Sequence, residues 1–460
     1  MIIHGRKFLV YGMGKTGVSL AKFIIKNGGK VAFFDKKNKI LPKEIANIGV
    51  ENHCETNKKQ LLENVDCVIL SPGVSVFDEV VKLAISKKTP VLSEMDFSFN
   101  FLSGTKIGIT ASCGKSTVTK MIYEMLKEDF PDVRIGGNYG VPFCELCENS
   151  TPQTISVLEV SSFMLEQSKS FHFDIAVFAN VYKNHLDRHK TMKKYISAKC
   201  KIAKNMQYPD VVILPCGDSA IKGEVLKNAN SVRPPKVVEF QRQNKVLPNY
   251  KTKNQLCEIK DNNIFIGEKQ LIRTDEFTVK GLHNKENLLV ASIVAEKMGA
   301  SEKSIAKVAK NFQPLPHRFE KIAEKNGVAY INDSKSTSGK SAEISLTLVD
   351  CPAVLLVGGS DKSDDFLPFF KAIKSQPLIL KTVIFGSAVR KLEYSAKTAG
   401  YFNYEKCESF NLAFEKGNSM CVAGSALILI PACPSYDEFD NFEKRGEHFA
   451  KLISGVEDGK

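Results

Sequence analysis

Short apolar runs of strand length alternate along the chain with longer stretches in which apolar residues recur every three or four positions. The alternation repeats in three blocks and predicts strands joined by flanking helices, an α/β chain with parallel sheets. In the first block a strand over Lys7 to Tyr11 leads through Gly12-Met13-Gly14-Lys15-Thr16-Gly17 into a helix that Gly28 and Gly29 end. Strands follow at Val31 to Phe34, with Asp35 behind it, and at Val65 to Leu70, stopped by Ser71-Pro72-Gly73; the block closes near Val91 to Glu94.

The second block opens with a strand over Lys106 to Thr110 that delivers Ala111-Ser112-Cys113-Gly114-Lys115-Ser116-Thr117 into a helix. Strands are expected at Ile155 to Val160, Ile175 to Ala179 and Val211 to Leu214, then in a β-rich patch including Ile264 to Ile266 and Phe277 to Val279, with a turn at Asp261 and Asn262. A helix from about Asn284 to Met298 comes next, and two prolines in Phe312 to Pro316 mark a linker. The third block carries strands at Val328 to Ile331, Ala353 to Val357, Thr382 to Phe385 and Ala426 to Ile430, and a last helix from about Asp440 to Leu452.

Composition narrows the class. With 460 residues, 43% hydrophobic and 25% charged, the chain falls in the globular range and has room for about three domains. No run reaches the about 20 apolar residues of a membrane span, and Phe8 to Tyr11 is too short for a signal-peptide core, so a cytoplasmic protein without a membrane span is expected. Twelve scattered cysteines without paired CxxC metal spacing fit reduced, buried thiols. A net charge of +13 favours anionic partners, but the lysine clusters are dispersed and no nucleic-acid module or aromatic stacking pattern accompanies them.

Two segments carry phosphate chemistry. Gly12 to Gly17 fits G-x-G-x-x-G between strand and helix, where glycines let the backbone approach a diphosphate and the helix N-terminus supplies donors. Asp35 stands where a ribose-binding acid would sit, so a nicotinamide enzyme is one reading of this loop alone. Around Gly114 the backbone can wrap a second polyphosphate, with Lys115 reaching the β- and γ-phosphates and Ser116 or Thr117 holding Mg2+. The strict pattern fails there, because Ile109 occupies the first glycine's place. A further Gly339-Lys340-Ser341 reads as an ordinary helix start. Two such loops in separate domains suggest one nucleotide spent for energy and one serving as a handle, the logic of a ligase.

With these signposts the chain resembles the Mur ligases of peptidoglycan synthesis. The resemblance runs on through Gly136-Gly137-Asn138-Tyr139-Gly140, Glu159-Val160-Ser161-Ser162-Phe163, Asn184-His185-Leu186-Asp187, Tyr195 to Lys199, Gly281 to Asn284, Leu315-Pro316-His317-Arg318, Asn332-Asp333-Ser334-Lys335 and Gly358 to Lys362. The tail from Pro431 to Gly446 is closest to the branch that adds D-glutamate, and argues against sister branches and folylpolyglutamate synthetases.

The resemblance implies three α/β domains: a Rossmann-like UDP-sugar-binding domain over 1–94, a central P-loop-type ATP-binding domain over 95–313, and a Rossmann-like amino-acid-binding domain over 314–460. It implies a monomer that uses ATP to activate the carboxylate of UDP-N-acetylmuramoyl-L-alanine for attack by D-glutamate. The first loop then holds a uridine diphosphate instead of a nicotinamide cofactor, through Gly14, Lys15, Thr16, Asp35, Lys36, Gly73 and Asn138. ATP falls to Gly114, Lys115, Ser116, Thr117, Asn284, Asn287, Arg318 and Asp333. Two Mg2+ ions fall to Ser116, Glu159, His185 and a carbamylated, bridging Lys199, with Lys115, His185 and Lys199 catalytic. Lys335, Thr337, Lys362, Ser435 and the backbone beside Phe442 receive the amino acid.

Departures from the family pattern are visible. Ala111 and Cys113 replace glycine and asparagine in the phosphate loop, Asn184 replaces an aspartate before His185, Met164 a glutamine, and Ser338 an asparagine. A nucleic-acid-binding ATPase accounts only for the charge and Lys115, and a nicotinamide oxidoreductase leaves the second loop unexplained.

Overall fold

The structure, a computed structural model, describes residues 1–37, 40–57, 60–242, 255–361 and 364–456. Its strands form three sheets of mostly parallel neighbours, as the alternating pattern predicts. The first contains β1 (Lys7–Tyr11), β2 (Lys30–Phe34), β3 (Val50–Asn52), β4 (Cys67–Leu70) and β5 (Val91–Ser93), all parallel, in the order β3-β2-β1-β4-β5. The second contains β6 (Thr105–Thr110), β7 (Val133–Gly137), β8 (Ile155–Glu159), β9 (Ile175–Phe178), β10 (Val211–Pro215), β11 (Lys236–Phe240), β12 (Gln255–Lys260), β13 (Asn263–Ile266) and β14 (Lys269–Arg273). Their order is β14-β13-β12-β11-β10-β9-β6-β8-β7, and only the β12-β13-β14 end is antiparallel. The third contains β15 (Glu320–Lys325), β16 (Val328–Asn332), β17 (Ala353–Gly358), β18 (Ile379–Phe385), β19 (Tyr404–Lys406) and β20 (Ala426–Ala432), ordered β15-β16-β20-β17-β18-β19 with β15 antiparallel.

Strands buried on both faces need not alternate, which is why β1, β17 and β20 read as continuous apolar runs. The helix Lys15–Lys26 does alternate: Leu20, Ala21, Phe23 and Ile24 are buried, each large side chain contributing about 1.5–3 kcal/mol. It ends where Gly28 turns to φ +77°. Winding reverses at β1/β4 and again at β6/β9, and the crevices at the carboxyl ends of such strands are where open α/β sheets take ligands.

Two compact units emerge, one of Met1–Val181, Lys193–Glu276 and Glu286–Lys310, the other of Tyr182–Met192, Phe277–Lys285 and Asn311–Lys460. In the first, one apolar core runs from β1 and β2 through the wholly buried helix Glu94–Ser98 to β8 and β9, with Phe99 edge-on to Phe143, Phe171 and Phe173. In the second, the two faces of the third sheet carry separate cores, Leu355, Val357 and Ile428 on one and Val354, Leu356 and Leu427 on the other.

Two local expectations need correcting. Phe277 to Val279 form no strand; the Thr278 hydroxyl instead donates to the Phe312 carbonyl at 2.6 Å, tying the segment to the Pro314 linker. β7, β11 and β15 were not anticipated, because glycine in β7 and charged residues in β11 and β15 interrupt the apolar signal.

Candidate active site

The first phosphate loop is shaped by close backbone approach. Gly12 has φ +112°, and a Cβ there would lie 2.8 Å from that of Ser71; a Cβ on Gly17 would meet the Gly12 carbonyl oxygen at 1.9 Å. The Ser71 hydroxyl donates to the same carbonyl at 3.2 Å, so the loops after β1 and β4 are joined. Gly14 and Gly73 face open space. Asp35 accepts from the Met13 and Lys37 amides at 2.9 and 2.8 Å, which makes it a brace of the glycine loop. Lys36 pairs with Asp78 at 2.6 Å, whose carboxylate caps the helix Glu79–Ser86. Lys15 donates to the Gly140 carbonyl at 3.0 Å, beside Asn138, and Thr16 lies half-buried in the first helical turn.

The second loop is held by a residue that sequence reading passed over. Asn180, two residues beyond β9, accepts the Ser112 and Cys113 amides on Oδ1 at 3.0 Å each and returns Nδ2 to the Cys113 carbonyl at 2.9 Å. Nothing in a lone asparagine after a strand signals this pairing. Gly114 then turns to φ +81°, where a Cβ would strike Asn287 Oδ1 at 2.5 Å, so Asn287 packs directly on the loop. Gly114 precedes the helix Lys115–Lys127 without a side-chain cap, and the positive dipole end of that helix suits an anion beside Lys115, Ser116 and Thr117. Ala111 is fully buried, and its carbonyl oxygen accepts both Lys115 Nζ at 2.8 Å and Lys199 Nζ at 2.7 Å.

Lys199 is 1% exposed and lies over the Tyr195 ring, whose hydroxyl meets Ser112 at 2.9 Å. Burial, and then the neighbouring Lys115 charge, push its pKa well below the ordinary lysine value. Glu159, at the end of β8 and also buried, takes Ser116 Oγ on one oxygen and Asn138 Nδ2 on the other, both at 2.5 Å. Asn138, expected to serve the uridine nucleotide, therefore also fixes the acid expected to serve the metal. Met164 is buried in the first core in the turn that Ser161 caps, so its departure from glutamine is met by packing.

The remaining residues belong to the second unit. His185 has φ +55° and its amide is accepted by Asn184 Oδ1 at 2.8 Å, the local role that Asn184 takes in place of a charge. Asn284 donates to the Lys280 carbonyl at 2.8 Å. Asp333 accepts the Phe319 amide at 3.0 Å and the Ser345 hydroxyl at 2.5 Å, bracing the turn that carries Arg318; burial raises its pKa to about 6. Lys335 Nζ lies 3.6 Å from the Phe442 ring centroid, a close cation–π contact. Thr337 is half-buried between Lys335, whose carbonyl accepts its amide at 2.8 Å, and Ser338, which forms a capping box with Ser341. Ser435 is buried, and its carbonyl accepts the Phe439 amide at 2.8 Å. Lys362 lies outside the described residues.

Arg445, wholly buried, was also missed. Its guanidinium donates to Ser334 Oγ and to the carbonyls of Ser334, Gly358, Cys433 and Pro434 at 2.9–3.3 Å, joining the loops after β16, β17 and β20. A guanidinium has donors enough for this task, which a lysine does not.

Among the described residues no group of three His, Cys, Asp or Glu side chains stands ready to hold a metal. Glu159 and Ser116 nonetheless offer adjacent hard oxygens at the phosphate loop, which suits Mg2+, an ion that keeps water and phosphate oxygens among its ligands. Cys144 and Cys147, the one CxxC spacing noted in the structure, are buried free thiols; burial pushes Cys147 up to about 12.

Residues 6–93 match the Mur ligase MurD-like N-terminal domain and residues 109–295 the Mur ligase middle domain. Over 464 residues the chain is 33% identical to the UDP-N-acetylmuramoylalanine--D-glutamate ligase of Thermoanaerobacter sp. (strain X514), covering 99% of each. Its fold is similar to that of the UDP-N-acetylmuramate-alanine ligase MurC from Thermotoga maritima, with a TM-score of 0.60 at 14% identity over 98% of this chain and all of that one. MurF ligase from the same organism, solved in complex with ADP, gives 0.58 at 15% identity over 98% and 99%. Matched from end to end by a curated ligase, and with both phosphate loops inside or at the edge of the matched domains, the chain belongs to the Mur ligase family.

Proposed function

We propose that this chain joins D-glutamate to UDP-N-acetylmuramoyl-L-alanine at the expense of ATP, a step of peptidoglycan precursor synthesis. The observation that carries the reading is full-length likeness to a D-glutamate ligase in a chain whose two phosphate loops share one compact unit. A substrate carboxylate oxygen takes the γ-phosphoryl group and ADP leaves; the D-glutamate amine then attacks the acyl carbon, phosphate leaves, and the amine gives up a proton.

In this reading 1–94 binds the UDP-sugar, 95–313 binds ATP and 314–460 binds the amino acid. Gly14, Lys15, Thr16 and Gly73 cradle the uridine diphosphate, Asp35 and Lys36 brace and flank that cradle, and Asn138 bridges it to Glu159. The first-turn amides after Gly114, with Lys115, Ser116 and Thr117, hold the ATP phosphates; Asn284, Asn287, Arg318 and Asp333 complete that site. Lys335, Thr337, Lys362, Ser435 and the Phe442 backbone receive D-glutamate, whose two carboxylates need several donors while its amine stays free.

Two Mg2+ ions fit this scheme, held by Ser116 and Glu159 and by His185 with carbamylated Lys199. Bound there, they neutralise charge as one anion is transferred to another. Support for carbamylation comes from the buried Lys199 amine: burial depresses its pKa and so favours the neutral form, the one that reacts with carbon dioxide. The protein acts as a cytoplasmic monomer, and no helix among the described residues is long and apolar enough to cross a membrane.

Phosphate release from ATP in the presence of UDP-N-acetylmuramoyl-L-alanine tests the reading. Release should need both substrates, favour D-glutamate over other amino acids and collapse in Lys115→Ala. Release without D-glutamate dependence would move the chain to another branch of the family.

A further inference from the structure

Resting on the reading of the first loop as the uridine-diphosphate site, we infer that Gln167 is the positioning residue of that pocket, clasping its second wall from the central domain. The helix Ser162–Gln167 begins behind Ser161, two residues after Glu159, and is turned so that Gln167 reaches into the loop after β4. There Nε2 donates to the carbonyl oxygens of Ser71 at 3.4 Å, Pro72 at 3.3 Å and Val74. The side chain is buried; the Ser71 carbonyl also accepts the Val74 amide at 3.0 Å, so it is the carbonyls of Pro72 and Val74 that would lose this donor if Gln167 were removed.

The consequence follows from peptide geometry. In a trans peptide the C=O and the N–H of the next residue point in opposite directions. Carbonyls of Pro72 and Val74 drawn toward Gln167 therefore turn the amides of Gly73 and Ser75 the other way. Neither amide donates to a protein acceptor among the described residues, and Gly73 has open space where a side chain would stand. Two backbone donors are thus presented at the carboxyl end of β4, where winding reverses and a ligand crevice opens beside Gly12. Such a pair suits oxygens of a diphosphate or of the attached sugar.

The clasp also links two ligands. One short helix has the loop of Glu159 at its start and the uridine-diphosphate wall at its end, while Asn138 ties the Lys15–Gly140 contact to the same Glu159. Gln167 therefore transmits the set of the metal-and-ATP loop to the UDP wall without touching either ligand.

The test is titration of the full chain with UDP and, separately, with ADP, for wild type, Gln167→Met and Gln167→Glu, with thermal unfolding recorded for each. Methionine keeps length and burial without a donor; glutamate keeps shape but sets an anion against three carbonyls. UDP affinity should fall about tenfold in Gln167→Met and further in Gln167→Glu, with ADP affinity within about twofold, and turnover should show the same split, KM for the UDP-substrate rising while that for D-glutamate holds. UDP affinity equal to wild type, or equal loss of UDP and ADP binding, would overturn the role of Gln167 while leaving the pocket in place. Wild-type protein that binds no UDP would overturn the reading of the pocket itself, and this inference with it.

Discussion

Lys115 and Lys199 rest their side-chain nitrogens on one acceptor, the Ala111 carbonyl oxygen, at 2.8 and 2.7 Å. Burial, and after it the nearby Lys115 charge, lowers the pKa of Lys199 well below the ordinary lysine value. The shift favours the neutral form of the Lys199 amine, the nucleophilic one.

Activity should therefore depend on dissolved carbon dioxide. Enzyme stripped of it at mildly acidic pH and assayed in carbon-dioxide-free buffer should lose most of its turnover and regain it with bicarbonate. Lys199→Arg, unable to form the carbamate, should be about 100-fold slower and indifferent to bicarbonate.

Removing the Asn180 clasp should damage ATP binding in particular. Asn180→Ala takes the side-chain acceptor from the Cys113 amide and the donor from the Cys113 carbonyl, at about 1–3 kcal/mol each, while the Ser112 amide keeps the Asn180 backbone carbonyl at 3.1 Å; it should raise KM for ATP about tenfold or more. Asn180→Asp keeps the acceptor for both amides and loses only the donor to Cys113, so it should fall between wild type and alanine. Steady-state kinetics with ATP varied decides the order.

Arg445→Lys should destabilise the C-terminal unit by about 3 kcal/mol, because one ammonium cannot serve five acceptors on three loops. Burial brings the arginine down only to about 10, so it is charged at neutral pH and the loss is the same from pH 6 to 8. Urea unfolding checks the stability. A rise in KM for D-glutamate with KM for ATP unchanged would show that the three loops carry the amino-acid site.

Glu94, 2% exposed between β5 and Cys144, supplies a pH dependence. Burial raises its pKa from the ordinary 4.5 to about 8, so between those values the folded chain holds a proton the unfolded chain has released. Its contribution to stability is full below about pH 4.5 and is lost as pH rises through about 8. Glu94→Gln keeps an oxygen for the Cys144 amide, 3.2 Å away, and should remove this slope. Urea midpoints of wild type and variant should diverge as pH rises from 5 to 8, with the variant the more stable at pH 8; parallel curves would refute the assignment.

Much of the molecule is determined by the sequence alone, because the signals are local. Gly12, Gly17 and Gly114 mark backbone that only glycine fits, apolar runs mark β1, β17 and β20, and Gly339-Lys340-Ser341 begins a helix as its capping pattern requires. What only the tertiary structure decides is which polar groups meet across the sheets. Asn180, Gln167 and Arg445 each satisfy carbonyls or amides 67 to 111 residues away in sequence or, for Arg445, on three loops at once. No periodicity records such a pairing. Asp35 and Asp333 make the same point: each is expected at a ligand site, and folding also gives Asp35 the Met13 and Lys37 amides and Asp333 the Phe319 amide to hold. Parallel sheets gather the ends of distant strands at one edge, so the partners of those loops are set by strand order, which no stretch of the sequence states by itself.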